Sequence, residues 1–262
     1  MSALNSVLAD LHDESHELDQ LVSSLPAADW AIQTPAPGWT IAHQIAHLAW
    51  TDHVSRLAAT DPEAFARELA KAAEDPGGFV DAGANQGAAL SPGELLAQWR
   101  SGRAALALAL AEVPDDTRLA WFGTRMSATT MATARIMETW AHGQDVVDAL
   151  GVTRRPTERI KHVAWLAVRT RDYSFQVHGL TPPPQPFRIE LIGPSGDLWE
   201  FGPQTAAERV TGPAVDLCLL ATQRRHRDDL ALVAVGESAD RWLNIAQTFA
   251  GLPGAGRTPT GA

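Results

Sequence analysis

The chain has one cysteine, one tyrosine and, in Lys71 and Lys161, only two lysines among its 21 basic residues. A lone Cys218 excludes an intramolecular disulfide and suits a reducing compartment. Set between Leu217 and Leu219, it reads as a small core residue. No apolar run approaches the ~20 residues of a membrane-spanning helix. The opening Met1-Ser2-Ala3-Leu4-Asn5 lacks the basic start and apolar stretch of a secretory signal. These absences lead to an expectation of cytoplasmic residence, away from membranes. Positive charge is also in deficit: a net charge of −10 argues against the basic footprint of non-specific nucleic-acid binding.

What is present is helical periodicity. Leu4, Val7, Leu8, Leu11, Leu18, Leu21 and Val22 mark a first amphipathic helix to about Leu25. Pro35 and Pro37-Gly38 interrupt, and Thr40 caps a second helix running to about Ala59. Asp61-Pro62 starts a short third helix to about Ala73. The Gly- and Pro-rich stretch Pro76–Leu90 reads as a long loop bordering a site, without phosphate-cradle spacing. Ser91-Pro92-Gly93-Glu94 carries cap, first-turn proline and capping-box glutamate for a helix to about Val113. Another helix spans about Ser127–Leu150, stopped by Gly151, and a further one follows Pro156 to about His178. Thr181–Pro186 is a stiff linker. Beyond it the period changes to two: Phe187–Ile192 and Leu198–Phe201 form a hairpin around Gly193–Gly196. A strand near 208–211, a helix over 213–223, a strand at 230–235 and a helix over 239–250 complete a small α+β region. The domains expected are a helical bundle over 1–180, an α+β domain over 187–252 and a frayed tail over 253–262.

Chemistry concentrates in Met137-Glu138-Thr139-Trp140-Ala141-His142. The i,i+4 spacing places a carboxylate and an imidazole on one helical face, able to share one divalent ion if a third ligand arrives. The second helix offers three histidines. His47 sits among Ile41, Ile45 and Leu48 on a partly inward face; His43 lies one turn earlier and could itself chelate with His47; His53 follows. His47 ranks first. Asp145 is either an acceptor orienting a ligand or a surface charge, and Trp39, Trp50 and Trp140 read as core or pocket wall. Arg224 and Arg225 close the 213–223 helix, where cations favour the helix dipole.

The stretches Pro37–Leu48 and Met137–Val146 resemble the second-helix and Glu-x-x-x-His motifs of the DinB-like metalloprotein superfamily, in its maleylpyruvate-isomerase-like branch. Phe187–Phe201 with Arg209–Leu217 is similar to the small sterol-carrier-like domain that follows the bundle there. The resemblance implies a DinB-like four-helix bundle with a three-ligand divalent site, usually zinc, formed by His47, Glu138 and His142. It further implies an enzyme using a low-molecular-weight thiol, mycothiol in actinobacteria, to isomerise or conjugate a small electrophile. An arginine at the position of Arg224 or Arg225 is implicated in activity and in cofactor recognition. A hydrolase using activated water and a non-catalytic metal- or ligand-binding protein are the alternatives, because a shared fold does not decide chemistry.

Overall fold

The computed structural model describes residues 2–251, 253–254 and 256–260, which divide into compact units over Met1–Arg154 and Arg155–Ala262. The first is helical. Four long helices, α1 (Ala3–Ser23), α2 (Ile41–Thr60), α5 (Pro92–Ala111) and α6 (Ala128–Leu150), pack mutually, α2 against α5 and α6, α1 against α6. Their ends follow the capping chemistry. Ser2, Ser91 and Ser127 accept from backbone N–H groups of the first turns, and Gly151 ends α6 at φ 65°. Two short helices, α3 (Pro62–Glu74) and α4 (Phe79–Ala88), lie against α2.

The stretch expected as a loop is thus helical over Phe79–Ala88. Its glycines are close-approach residues rather than breakers: a Cβ at Gly83 would fall 2.6 Å from the Trp50 ring, and one at Gly87 would fall 2.7 Å from Ala46 Cβ. Small residues at these two positions allow α4 onto α2. A short hairpin of β1 (Leu119–Trp121) and β2 (Thr124–Met126) precedes α6.

Two apolar clusters hold the helices. One gathers Leu4, Val7, Val54, Leu106, Leu110 and Ile136; the other gathers Leu18, Val22, Ile41, Leu48, Trp99 and Val146. Each such side chain contributes about 1.5–3 kcal/mol by leaving water. The same unit also buries a polar layer of Glu14, Asp19, His47, Thr51, Asp52, Arg135 and Asp145. Its cost is offset by pairing: Asp19 with Arg100 and Arg103, Glu14 with Arg154, Asp52 with Arg135.

The second unit begins ahead of the polyproline segment that the sequence suggests as the joint. The helix expected over 156–178 belongs to it, as α7 (Ile160–Arg169) and α8 (Arg171–Val177) broken at Thr170, with α7 packed on α9 (Ala214–Ala221). Strands β3 (Phe187–Ile192), β4 (Leu198–Phe201), β5 (Glu208–Pro213) and β6 (Val233–Val235) form one mixed sheet in the order β4-β3-β5-β6, with only β3 and β5 parallel. The last helix, α10 (Glu237–Leu243), is shorter than its periodicity suggests. Of the tail expected to fray, residues 255, 261 and 262 lie outside the described residues, while Thr260 donates its backbone N–H to the Asp229 carboxylate at 2.9 Å. Among the described residues, no helix is long and apolar enough to cross a membrane.

Cys218 lies wholly inside this second unit, and burial pushes its thiol above the ordinary range. The thiolate is the reactive form, so native protein at pH 8 is expected to resist iodoacetamide and to be labelled promptly only in denaturant. Rapid labelling of the native chain, followed by mass spectrometry, would contradict this placement.

Candidate metal centre

The fold brings together His47 from α2 with Glu138 and His142 from α6. Their ligand atoms lie within 4.8 Å of one another, the only such group of His, Cys, Asp or Glu among the described residues. Glu138 Oε2 is 3.3 Å from His47 Nε2 and 3.2 Å from His142 Nε2. A tetrahedral zinc site spaces its ligand atoms by about 3.3–3.5 Å, so these separations fit. Burial alone would raise the Glu138 carboxyl, but hydrogen bonds from His142 and His47, with the Arg135 charge nearby, hold it well below the usual carboxylate range.

Hydrogen bonding sets the protonation of His142. Its Nδ1 lies 2.5 Å from Gln44 Oε1. Gln44 Nε2 donates to Thr34 Oγ1 at 2.8 Å, and Thr34 Oγ1 donates to the Trp39 carbonyl at 2.8 Å. The single hydroxyl proton must point at that carbonyl, which can only accept; the hydroxyl oxygen therefore accepts from the amide, and the amide oxygen faces His142. Nδ1 then carries a proton and donates it to Gln44. Nε2 faces the ionised Glu138 carboxylate at 3.2 Å, and a cation between the two atoms, a proton or a metal ion, satisfies both. A divalent ion meets that requirement for both imidazoles at once. Three protein ligands would leave coordination positions open, as in catalytic rather than structural sites.

The other histidines are spent elsewhere. His43 Nδ1 lies 3.2 Å from the Thr40 N–H and 2.7 Å from its hydroxyl, while Nε2 is 3.1 Å from Asn85 Oδ1 on α4. Both ring nitrogens are engaged in holding the start of α2, and His53 is exposed. Trp39 covers the triad, its ring 5.3 Å from His47 and 5.9 Å from His142, with its indole N–H donated to Asp81 on α4 at 2.9 Å. Trp50 flanks His47 at 5.9 Å. Trp140 is core, beneath the Arg154 guanidinium. Asp145 is fully buried rather than a surface charge.

Arg224 and Arg225 belong to the second unit. They follow Gln223, whose φ of 60° is the one positive value outside glycine among the described residues. The Arg224 N–H returns to Leu219 C=O at 2.8 Å and the Gln223 N–H to Leu220 C=O at 2.9 Å, a Schellman closure of α9. Arg225 helps to line a small polar pocket of about 150 Å³ with His178, His226 and Asn244.

Sequence reasoning did not single out Gln44, Thr34 or the buried Arg135. Gln44 was detectable in part, since residues 44 and 47 share a helical face. Arg135 stands three residues before Glu138 on the face that carries the ligands.

The domain family described as "Mycothiol maleylpyruvate isomerase N-terminal domain" matches residues 11–147, and one described as "Wyosine base formation" matches residues 183–235. An uncharacterized protein of Mycobacterium tuberculosis strain H37Rv is 60% identical over 250 residues, covering 95% of this chain and 97% of the relative; its counterpart in strain CDC 1551 / Oshkosh matches equally. Among solved structures, the mycothiol-dependent maleylpyruvate isomerase is similar at TM-score 0.59 and 18% identity, over 88% of this chain and 92% of that one. A mutant form of that enzyme matches at 17% identity with the same TM-score. At such identity the likeness is one of fold.

Proposed function

Because this chain belongs to the family of the mycothiol maleylpyruvate isomerase N-terminal domain, we propose that it is a metal-dependent enzyme of small-molecule thiol chemistry. In this reading the four long helices form a DinB-like bundle. His47, Glu138 and His142 hold a divalent ion, zinc by the character of the donor set. The co-substrate is a low-molecular-weight thiol such as mycothiol, added to or passed through a small electrophile in the cytoplasm. The sheet-containing unit is its sterol-carrier-like companion, with Arg224 and Arg225 as the cations for an anionic group of thiol or substrate. The observation that carries the proposal is the convergence of one ligand atom each from His47, His142 and the ionised Glu138 within 4.8 Å.

A divalent ion bound there would act as a Lewis acid and favour ionisation of an arriving thiol. The chain's own residues prepare the place. Gln44 orients one imidazole, Trp39 and Trp50 shield the ligands from water on their side, and hydrogen bonds from the two imidazoles, with the Arg135 charge, keep Glu138 ionised. The test is incubation of the zinc-loaded full chain with mycothiol and either maleylpyruvate or an activated alkene. A metal-dependent thiol adduct or isomerised product is expected by mass spectrometry. Zinc-loaded protein that shows no mycothiol binding by calorimetry would overturn the thiol reading, and hydrolysis of ester or amide probes under the same conditions would replace it with the water-activating one.

A further inference from the structure

We propose that Gln44, locked by Thr34, is a positioning residue that presets His142 as a metal ligand before any ion arrives. The inference rests on the metal-site reading above and extends it to the residues behind the ligands. The two imidazoles are not equivalent. His142 donates Nδ1–H to Gln44 Oε1 at 2.5 Å, whereas the buried Nδ1 of His47 has no hydrogen-bond partner among the described residues. A ligating histidine is ordinarily held by an acceptor on its second nitrogen, which sets the tautomer and the ring plane. Here only His142 has one.

The acceptor is itself fixed. Gln44 is fully buried, so its amide cannot exchange its hydrogen bonds for water, and flipping it would point an N–H₂ at the His142 N–H. Flipping would also leave Thr34 Oγ1 facing two acceptors with one proton. Thr34 is anchored a second time, its N–H donating to the same Trp39 carbonyl at 2.8 Å. The Gln33–Thr40 bridge closes this turn. One hydrogen-bonded chain, Trp39 carbonyl to Thr34 to Gln44 to His142, thereby sets both the tautomer of a ligand and the backbone that carries the Trp39 indole over it. The orientation of His142 is in place in the metal-free chain, and an ion need only recruit His47.

The test uses the full-length chain in two states. In metal-free protein at neutral pH, imidazole ¹⁵N shifts are expected to show His142 protonated at Nδ1, and Gln44→Leu is expected to release it to the Nε2–H form or a mixture. This readout does not depend on metal binding. In metal titrations, Gln44→Leu is expected to weaken zinc binding about 10–100-fold and to shift the visible spectrum of the cobalt-substituted site. Gln44→Glu keeps an acceptor for Nδ1–H, its second oxygen accepting the Thr34 hydroxyl while the Thr34 N–H stays on the Trp39 carbonyl, and is expected to retain affinity within a few-fold. Thr34→Val frees the amide and is expected to move both readouts in the direction of Gln44→Leu, and it serves if that variant does not fold. His142 in the Nε2–H form in the wild-type chain, or wild-type zinc affinity and cobalt spectrum in both Gln44→Leu and Thr34→Val, would overturn the proposal. A wild-type chain that shows the expected tautomer but binds no metal would overturn the metal-site reading instead, and with it the ligand role assigned to His142.

Discussion

Replacing His142 with alanine is expected to abolish practical metal binding while leaving the helices intact. Zinc at protein sites is bound by about 10–16 kcal/mol in well-formed cases. Spread over three protein ligands, the lower figure gives roughly 3 kcal/mol each, so losing one weakens binding by about two to three orders of magnitude. The same loss is visible in stability. A ligand at a hundred times its dissociation constant stabilises the native state by about 2.7 kcal/mol. In a unit the size of residues 1–154 that raises the melting temperature by roughly 5–10 °C. Wild type should show that increment on adding zinc, and His142→Ala should not. Circular dichroism of the two metal-free proteins should coincide, since His142 is one side chain on a helix whose other faces are packed. Equal zinc affinity in wild type and variant would remove this residue from the site.

The second large effect concerns Arg135, which is 2% exposed in the polar layer. Its Nε donates to Asp52 Oδ1 at 3.1 Å and its Nη2 to Thr51 Oγ1 at 2.6 Å, while the Thr51 hydroxyl donates to the His47 carbonyl at 2.8 Å. Arg135 therefore ties the ligand-bearing turn of α6 to that of α2. Arg135→Met would strand a buried carboxylate, at a cost of about 3–5 kcal/mol, or roughly 6–20 °C in melting temperature. Burial holds the Asp52 carboxyl above its ordinary value, against the attraction of Arg135. A raised carboxyl favours the folded state when protonated, and that contribution fades as pH rises through its folded-state value. Without the guanidinium only weaker influences such as the Arg103 charge oppose burial, so the deficit should be largest at pH 7 and shrink toward pH 4. The double variant Arg135→Met with Asp52→Leu should regain most of the loss, because apolar replacement of a buried pair is often neutral. Urea melts across pH decide the matter: a deficit independent of pH would mean that lost packing, not a stranded charge, is responsible.

Legibility differed by the range of the forces involved. Helices α1, α2, α5 and α6 could be read closely from apolar spacing and local caps, such as Ser91 with Glu94 and the stop at Gly151. Their signals lie within a turn or two of the chain. Helix α4 could not, because Gly83 and Gly87 are breakers by local propensity and acquire their purpose only against Trp50 and Ala46. The helix expected across 156–178 breaks at Thr170, and α10 stops at Leu243 rather than about Ala250. Of the histidines on α2, the apolar neighbours of His47 ranked it above His43 and His53 from the sequence. Tertiary structure supplies the physical reason, giving His43 to Thr40 and Asn85.

The sequence by itself therefore determined that Glu138 and His142 share a face, because helical geometry is local and an i,i+4 pair follows from it. It also determined where the long helices start and stop. Only the tertiary structure brought His47 up to that pair and set Gln44 behind His142. That arrangement depends on Gln44 and His142 meeting across 98 residues of chain. Hydrogen-bond complementarity at that distance is a property of the packed molecule, and no window of sequence contains it.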